Sequence, residues 1–525
     1  MAIKIIMIVL FFGVMIGVGL YCRRHATDVN GFVLGGRSVG PWLTAFAYGT
    51  SYFSAVIFIG YAGQFGWKYG VASTWIGIGN ALIGSLLAWV ILGRRTRVIT
   101  QHLSAATMPE FFGKRFDSKA LKIGASVITF IFLIPYTASL YNGLSRLFES
   151  AFGIDYIWCI IIMSVLTGIY VIAGGYMATA INDFIQGMIM LVGIVAVIAA
   201  VLNSNGGFIE SLNKMAAVSD TAVSEAPGAF NSFFGPDPLN LLGVVILTSL
   251  GTWGLPQMVQ KFYAIKSEES IKKGTVISTV FAIIVAGGCY FLGGFGRLAD
   301  IATTSGTPGV GSPVDGFDSI IPGMLSKLPD LLIAVVVILV LSASMSTLSS
   351  LVIASSSTLT IDFLKDNLIK KMSEKKQVLL IRIFVVVFIA ISALIAIYQV
   401  KSSNEAVKYI AQLMGVSWGA LAGSFLAPFL YGLYWKKTTK IACWASFGFG
   451  SIVMILNMLF RDFFTENFPI LASPINCGAF VMIAGLIIVP VVSLFTPKMK
   501  KADVDAMFSC YDKKVEVSQK TSLSD

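Results

Sequence analysis

Charged residues are scarce in this sequence. Of its 525 residues, 12% are Asp, Glu, Lys or Arg, while 56% are hydrophobic. A soluble protein carries about a quarter charged residues, so this shortage excludes the string of about three soluble domains that the length alone would suggest. The mean hydropathy is +0.82, and apolar segments recur from end to end. We therefore expect one membrane domain whose main solvent is lipid.

Histidine and cysteine are also few, and neither occurs in a metal-binding pattern. The two histidines, His25 and His102, lie in basic loops, and the six cysteines are scattered without a CxxC pair. We therefore expect free thiols, no metal centre of this kind and no resident cofactor. The net charge of +11 does not indicate nucleic-acid binding, because the basic residues stand in short loops between apolar runs.

Long apolar runs are the dominant feature of the sequence. A helix needs about 20 apolar residues to cross the hydrocarbon core of a bilayer, and thirteen such segments follow one another. They cover residues 3–21, 42–60, 73–93, 121–148, 156–174, 181–202, 239–261, 273–296, 329–358, 378–399, 405–434, 441–460 and 475–496. The first has no small-residue cleavage site, so we interpret it as a retained span. The sequence predicts an all-α integral membrane protein with 13 transmembrane helices.

The loops between these spans predict the orientation. Two long loops, 203–238 and 297–328, hold three basic residues beside seven acidic ones. Lys and Arg gather instead in the alternate loops and in the tail, within 23–37, 94–119, 261–273, 365–376, 436–440 and 498–501. Because cytoplasmic loops are rich in Lys and Arg, we predict an outside N-terminus and a cytoplasmic C-terminus. This interpretation makes Lys261 a cytoplasmic loop residue, and it leaves a short, polar tail that is predicted to be disordered.

Three spans contain stretches that do not suit a plain apolar helix. The second has a small, hydroxylic run at 49–54, the seventh has two glycines and a proline within 251–257, and the ninth has six hydroxyls within 342–350. One Ser or Thr in a membrane helix usually bonds its own backbone or a neighbouring helix. A run of six hydroxyls in one span, together with an interrupted helix in another, favours a cation site instead, because hydroxyls and unwound carbonyls supply neutral oxygens. Broken helices at corresponding places in two repeats are typical of secondary transporters.

Asp183 is the most prominent acidic residue at membrane depth. It lies where the sixth span begins, on the predicted inner side. Its residue type suits the first turn of a helix, and an acid at an inner vestibule would also attract a departing cation. The sequence leaves both roles open.

Several motifs together resemble one known family. They are LGGRSVGP at 34–41, the hydroxylic run at 49–54, RLFESAFG at 146–153, GGY at 174–176, NDFIQG at 182–187 and MSTLS at 345–349. In this order they resemble the sodium:solute symporter family, which includes bacterial proline and pantothenate transporters and the sodium/glucose cotransporters. The closest resemblance is to the proline and pantothenate branch.

The resemblance implies a core of two inverted five-helix repeats with discontinuous helices. One helix would precede this core and two would follow it, which agrees with the thirteen spans. The implied units are 1–41 with the first helix and a cytoplasmic loop, 42–202 with the first repeat, 203–238 as an extracellular loop, 239–436 with the second repeat, 437–496 with two C-terminal helices, and 497–525 as a cytoplasmic tail.

By position, the resemblance also implies a sodium site between the second and ninth spans. Thr50, Phe53 and Ala343 would contribute backbone carbonyls. Ser346 and Thr347 would contribute hydroxyls. Asp183 would line the exit path of the ion.

The implied solute-binding positions are Tyr52, Ser54, Val56, Tyr136, Thr248, Thr252 and Pro256. The proline transporter has aspartate in place of Tyr52, tryptophan in place of Val56 and Thr248, and tyrosine in place of Thr252. These differences predict a wider and more hydroxylic pocket, and they argue against proline itself as the solute.

These features predict a secondary active transporter that takes up a small polar organic solute with sodium by alternating access. The candidate solutes are, in falling order, an amino acid, a monocarboxylate and a sugar, and sodium is a co-transported substrate. We expect a monomer in the lipid of a prokaryotic plasma membrane to suffice. One alternative is proton coupling or passive permeation, for which Asp183 is the only serious proton relay. The other is a sensor or a membrane enzyme, but the cytoplasmic loops show no catalytic constellation.

Overall fold

The regular structure is helical throughout the described residues. The computed structural model describes residues 2–23, 27–326, 328–365, 372–401 and 410–512, and these ranges contain only isolated β-bridges. Lipid offers no partners to backbone N–H and C=O groups, so a helix, which satisfies them internally, is the structure that an apolar chain adopts there. The start of the eleventh predicted span at 405–409, the residues Arg24, His25, Lys327, Lys370 and Lys371, and the tail from 513 lie outside the described residues.

The α-helices are numbered in chain order. They are α1 Ala2–Cys22, α2 Val29–Leu34, α3 Pro41–Tyr52, α4 Ala62–Tyr69, α5 Thr74–Gly79, α6 Arg94–His102, α7 Met108–Arg115, α8 Lys119–Phe152, α9 Tyr156–Ser204, α10 Phe208–Ala217, α11 Pro238–Gly254, α12 Pro256–Ala264, α13 Glu268–Ala282, α14 Gly288–Gly293, α15 Ile320–Leu325, α16 Asp330–Thr358, α17 Glu374–Lys401, α18 Ile410–Tyr434, α19 Lys440–Leu459, α20 Arg461–Asn467, α21 Pro474–Phe495 and α22 Lys501–Phe508. Wider π-helical turns at Val56–Tyr61, Asn80–Leu87, Trp89–Gly93, Ile283–Gly287 and Leu359–Leu364 continue several of them.

Ten helical stretches of the described chain are long and apolar enough to cross a membrane, and the bent pair α11–α12 makes an eleventh. Two of the ten, Val56–His102 and Tyr156–Ser204, run for 47 and 49 residues. At 1.5 Å per residue, each stretch contains enough residues for about 70 Å of helix, which is more than twice the hydrocarbon thickness of about 30 Å. Gly175 interrupts the second with a left-handed φ of 57°. The chain is a multi-pass helical membrane protein, and the count of thirteen spans stays a prediction.

Burial divides the helices into an inner and a lipid-facing set. α18 is almost wholly buried and α16 is mostly buried. α16 packs against α8 and α9, while α18 packs against α11, α19 and α21. By contrast, α1 and α17 expose apolar side chains such as Val9 and Leu394. Such exposed apolar faces suit helices that border lipid.

The C-terminal segment corrects one expectation, because its described part is ordered rather than disordered. α22 and a following turn to Asp512 pack on the basic loops. The Phe508 ring lies 5.0 Å from the Arg115 guanidinium, and the Tyr511 ring lies 4.5 Å from that of Arg95. The polar composition of the tail concealed a helical spacing of apolar side chains at Val504, Phe508 and Tyr511, which form one face.

Candidate functional site

Two helical spans break near their middle with the same backbone geometry. α3 ends at Tyr52, and Phe53 is extended, with φ −85° and ψ 121°. α11 ends at Gly254, Leu255 is extended, with φ −85° and ψ 120°, and Pro256 begins α12. The α11–α12 pair bends by 47°. The proline favours the second break because it lacks an N–H, and helix ends leave carbonyl oxygens without helical partners.

The first break faces the hydroxyl-rich middle of α16. The Ser346 hydroxyl donates to the Thr50 carbonyl at 2.9 Å. The Thr347 hydroxyl lies 3.2 Å from the Thr50 carbonyl, 3.4 Å from that of Phe53 and 3.1 Å from that of Ala343. The structure thus brings together all five residues that the sequence resemblance assigned to sodium. Their ion-binding role stays a prediction.

This cluster contains only neutral oxygens. All five residues are buried, so any ion that they hold is shielded from water. The two hydroxyl protons are shared among these three carbonyl oxygens. Each hydroxyl also carries lone pairs, so rotation of the Ser346 and Thr347 protons away from the carbonyls would leave five oxygens able to face a small hard cation.

Asp183 is fully buried and pairs with a lysine. Its Oδ2 atom lies 3.7 Å from Nζ of Lys261, and neither of its oxygens accepts a hydrogen bond of ordinary geometry within the described residues. Asp183 lies within α9, about two turns beyond the Gly175 interruption. The alternative role as a helix-start residue is therefore wrong.

The burial of Lys261 corrects the sequence interpretation of that residue as part of a cytoplasmic loop. Lys261 is 2% exposed, because α12 carries it back into the protein beside α9 and α16. Its ammonium donates to the Ser350 hydroxyl at 2.9 Å and lies 5.1 Å from the centre of the Tyr176 ring. A count of basic residues in the loops does not distinguish this buried lysine from the exposed lysines near it in the sequence. The need of a membrane-buried Asp183 for a basic partner was the signal that could have identified it.

A short chain of hydroxyls joins the oxygen cluster to this ion pair. The Ser51 and Ser350 hydroxyls lie 2.8 Å apart. Ser51 follows Thr50 in α3, and Ser350 lies about one turn beyond Ser346 in α16. Ser350, which contacts the Lys261–Asp183 pair through the lysine ammonium, and its partner Ser51 therefore lie next to the cluster along α16 and α3.

Two of the predicted solute-binding residues flank a tryptophan that the sequence analysis missed. The Trp418 ring centre lies 5.9 Å from that of Tyr52 and 5.8 Å from that of Tyr136. The hydroxyls of Tyr52, Tyr136 and Ser54 and the indole N–H of Trp418 are buried and form no hydrogen bond of ordinary geometry with described residues. The usable signal was a single tryptophan among the glycines, alanines and serines of α18.

The other four predicted residues contribute less polar surface than expected. The Thr248 hydroxyl donates to the Val244 carbonyl at 2.8 Å, and the Thr252 hydroxyl lies 2.9 Å from the Ser249 carbonyl. Val56 and Pro256 each begin the segment beyond a break. The threonine protons thus engage the backbone. The polar groups without a hydrogen bond of ordinary geometry belong to Tyr52, Ser54, Tyr136 and Trp418, which we call the aromatic cluster. The expectation of a pocket made hydroxylic by the two threonines stays a prediction.

A cavity of about 600 Å³ lies at the far ends of two of these helices. Lys68 of α4 and Asn240 of α11 line it together with Asp237 and Gln412. α4 and α11 both lead from the cavity toward a helix break. The lining residues of the cavity do not include the seven predicted solute-binding residues. The cavity, which we call the vestibule, is therefore separate from the aromatic cluster.

Comparison with known proteins agrees with this architecture. The model of the sodium:solute symporter family matches residues 32–448. Sodium/proline symporters of Staphylococcus aureus strains JH9 and NCTC 8325 are each 32% identical to this chain over 464 residues, which cover 86% of this chain and 85% of theirs. The structure of a Na+-coupled sialic acid symporter in a substrate-bound, outward-open state matches with a TM-score of 0.69 at 16% identity, over 95% of this chain and 99% of the other. The last likeness shows a shared fold.

Proposed function

Because this chain belongs to the sodium:solute symporter family, we propose that it is a sodium-driven symporter that takes up a small amino acid or monocarboxylate. The observation that carries the proposal is the convergence of the Ser346 and Thr347 hydroxyls on the carbonyls of Thr50, Phe53 and Ala343. A broken helix and a hydroxylic helix here supply five neutral oxygens in one buried place. Sodium is the cargo that such a set suits.

The proposed architecture has thirteen spans and two inverted five-helix repeats. Counting Val56–His102 and Tyr156–Ser204 as two spans each, and α11–α12 as one, gives thirteen. The breaks at Phe53 and Leu255 fall in the first spans of the proposed repeats, 42–202 and 239–436. Their matching backbone angles support this symmetry. In the proposed orientation the N-terminus is outside and the C-terminus is in the cytoplasm of a prokaryote.

Coupling follows from the position of the first break. Thr50 and Phe53 belong to the same short stretch as Tyr52 and Ser54. A sodium ion that holds this stretch against α16 therefore also fixes two residues of the aromatic cluster. An interior-negative membrane potential adds about 2.3 kcal/mol per charge and 100 mV in favour of sodium entry. Loss of sodium to a low-sodium cytoplasm would loosen the stretch and release the solute.

The aromatic cluster supports a small solute with an apolar body and a polar end. The rings of Tyr52, Tyr136 and Trp418 offer flat apolar walls, and their unpartnered O–H and N–H groups suit a carboxylate as hydrogen-bond donors. An amino acid or a monocarboxylate combines these features better than a sugar, which needs many polar partners. The 32% identical relatives named sodium/proline symporters make proline one of the solutes to test.

The test is solute uptake into proteoliposomes that contain the purified protein. Thermal-stability screening of amino acids, organic acids and sugars, in sodium and in potassium, first identifies a solute, because a bound ligand raises stability by mass action. Uptake is then measured with an imposed sodium gradient. Collapse of that gradient at constant membrane potential and pH should abolish accumulation. Accumulation that persists would favour proton coupling through Asp183.

Matched variants test the site. Ser346→Ala and Thr347→Val each remove one hydroxyl, and we expect the sodium concentration for half-maximal uptake to rise about tenfold, as for one lost ligand worth about 1.4 kcal/mol. Thr347→Ser keeps the hydroxyl and should stay close to the native chain. Ser357→Ala is the control, because Ser357 of the same helix donates to its own backbone at Ile353. An unchanged sodium requirement in both loss variants contradicts the site.

A further inference from the structure

Lys261 is a buried positive charge in the middle of a proposed cation pathway. Its side chain is 3% exposed and that of its partner, Asp183, is fully buried. A charged side chain inside a membrane protein is costly, and it persists where it is paired or functional. Electrostatic pairing alone does not explain why the lysine stands between α9 and α16, one helical turn from the oxygens proposed to bind sodium.

The groups around the lysine ammonium are those that a sodium ion uses. They are the Asp183 carboxylate at 3.7 Å and the Ser350 hydroxyl at 2.9 Å. The Ser51 hydroxyl lies 2.8 Å from that of Ser350. Neither carboxylate oxygen of Asp183 has a hydrogen bond of ordinary geometry within the described residues, so the carboxylate retains its capacity to bind a cation.

Two cation positions therefore lie side by side along α3 and α16, and Asp183 of α9 completes the second. The first has the neutral oxygens of Thr50, Phe53, Ala343, Ser346 and Thr347. The second has a carboxylate and hydroxyls, and the ammonium of Lys261 already lies within it. Because the second position offers one negative charge, it can neutralise one cation. A sodium ion there would face the ammonium at close range, so the two exclude each other.

We propose that Lys261 is a tethered cation that fills a second cation position, made by Asp183, Ser350 and Ser51, and thereby limits the transporter to one sodium ion per cycle. The inference rests on the proposed function as a sodium symporter. The lysine ammonium excludes a solvent-borne ion from the second position. It also keeps the Asp183 carboxylate neutralised when sodium leaves the first position. Removal of the ammonium would then open a vacant carboxylate site.

The test counts sodium ions bound to the purified full-length protein by equilibrium binding of radioactive sodium. We expect one ion per native chain and two per chain in Lys261→Met. Lys261→Arg keeps a positive charge and should bind one. The double variant Lys261→Met with Asp183→Asn removes the second position altogether and should also bind one. In uptake assays, the Hill coefficient for sodium should rise from about 1 toward 2 in Lys261→Met alone.

The number of sodium ions bound per chain decides whether the inference holds. Two sodium ions bound to the native chain would overturn the inference, and this measurement needs no variant. One ion bound to a folded Lys261→Met, or to Lys261→Gln where the methionine variant does not fold, would also overturn it and reduce the pair to a structural role. Absence of any sodium bound to the native chain would instead contradict the proposed function. Thr347→Val distinguishes sodium binding at the two positions, since it should weaken binding at the first position both in the native chain and in Lys261→Met.

Discussion

Phe53 and Leu255 break two different helices with the same extended backbone, yet their carbonyl oxygens have different partners. The Leu255 carbonyl accepts the amides of Met258 and Val259, at 3.1 Å each, and so starts α12. The Phe53 carbonyl is approached by the Thr347 hydroxyl of another helix at 3.4 Å. The two breaks thus share a backbone geometry but differ in the use of the carbonyl oxygen. The Phe53 carbonyl is directed at a neighbouring helix, whereas the Leu255 carbonyl accepts hydrogen bonds within its own chain segment. This asymmetry explains why the cation proposal concerns the first break.

The first prediction concerns the buried hydroxyl of Tyr136. Tyr136→Phe should raise the solute concentration for half-maximal uptake about tenfold, as expected for one lost hydrogen bond of about 1–1.5 kcal/mol, and should leave the sodium requirement unchanged. In the absence of solute, its thermal stability should differ little from that of the native chain, because the hydroxyl approaches Ser54 and Trp418 but forms no hydrogen bond of ordinary geometry with described residues.

Tyr431→Phe is the matched control for this prediction. The Tyr431 hydroxyl donates to the Leu486 carbonyl at 2.9 Å, so its removal should lower stability by about 1 kcal/mol and leave solute affinity unchanged. Thermal unfolding with and without solute measures both effects. A Tyr136→Phe variant that loses stability but keeps its solute affinity would show that the hydroxyl is structural.

The sequence predicted the parts of the site that lie in local patterns. Ser346 and Thr347 stand in a run of hydroxyls, and Thr50 and Phe53 stand beside a visible helix break, so their types and spacing were informative. Lys261 was misassigned because it lies in a basic stretch, and its burial depends on how α12 folds back beside α9. Trp418 was missed for the same reason, since only long-range packing brings α18 beside Tyr52. Local patterns carry no information about such pairings.

The second prediction concerns a close approach between helices. A side chain at Gly66 of α4 would overlap the backbone carbonyl of Gly293 at the end of α14. Small residues at such positions let membrane helices pack backbone to backbone. Gly66→Ala should therefore lower thermal stability and solute uptake, because α4 continues directly from the first break. Gly13→Ala in α1, where a side chain meets no atom within 4 Å, is the control and should be neutral or slightly stabilising.

The third prediction is a dependence on pH at the vestibule. Arg297 and Asp220 join two loops through a buried contact of 2.9 Å. Burial pushes the pKa of Asp220 upward, but hydrogen bonds from the Arg297 guanidinium and the Gly311 amide outweigh this and hold the pKa below its usual value of 3.8. The pair therefore contributes its full stability above about pH 4, and the contribution falls as the pH drops through the lowered pKa.

Asp220→Asn tests this pair. At pH 7 we expect the variant to lose about 1.5–3 kcal/mol of stability, since it removes the charged hydrogen bond between Arg297 and its carboxylate partner. The difference from the native chain should shrink as the pH approaches 3. Asp315→Asn, in an exposed part of the same loop region, should have little effect at either pH. A constant difference between native chain and Asp220→Asn across this range would contradict the assignment.

The fourth prediction ranks two contacts that dock α22 on the basic loops. The Lys436–Asp505 ion pair is short, at 2.6 Å, but its side chains are 54% and 44% exposed, and exposed pairs contribute little to stability. Phe508 is 7% exposed and lies against the guanidinium of Arg115. Phe508→Ala should therefore release α22 much more than Asp505→Asn does, because it loses both apolar burial and a cation–π contact. Hydrogen exchange of the backbone amides of residues 501–508 measures the release of α22. We expect faster exchange in Phe508→Ala and near-native exchange in Asp505→Asn. The reverse order would mean that charge rather than burial holds the helix.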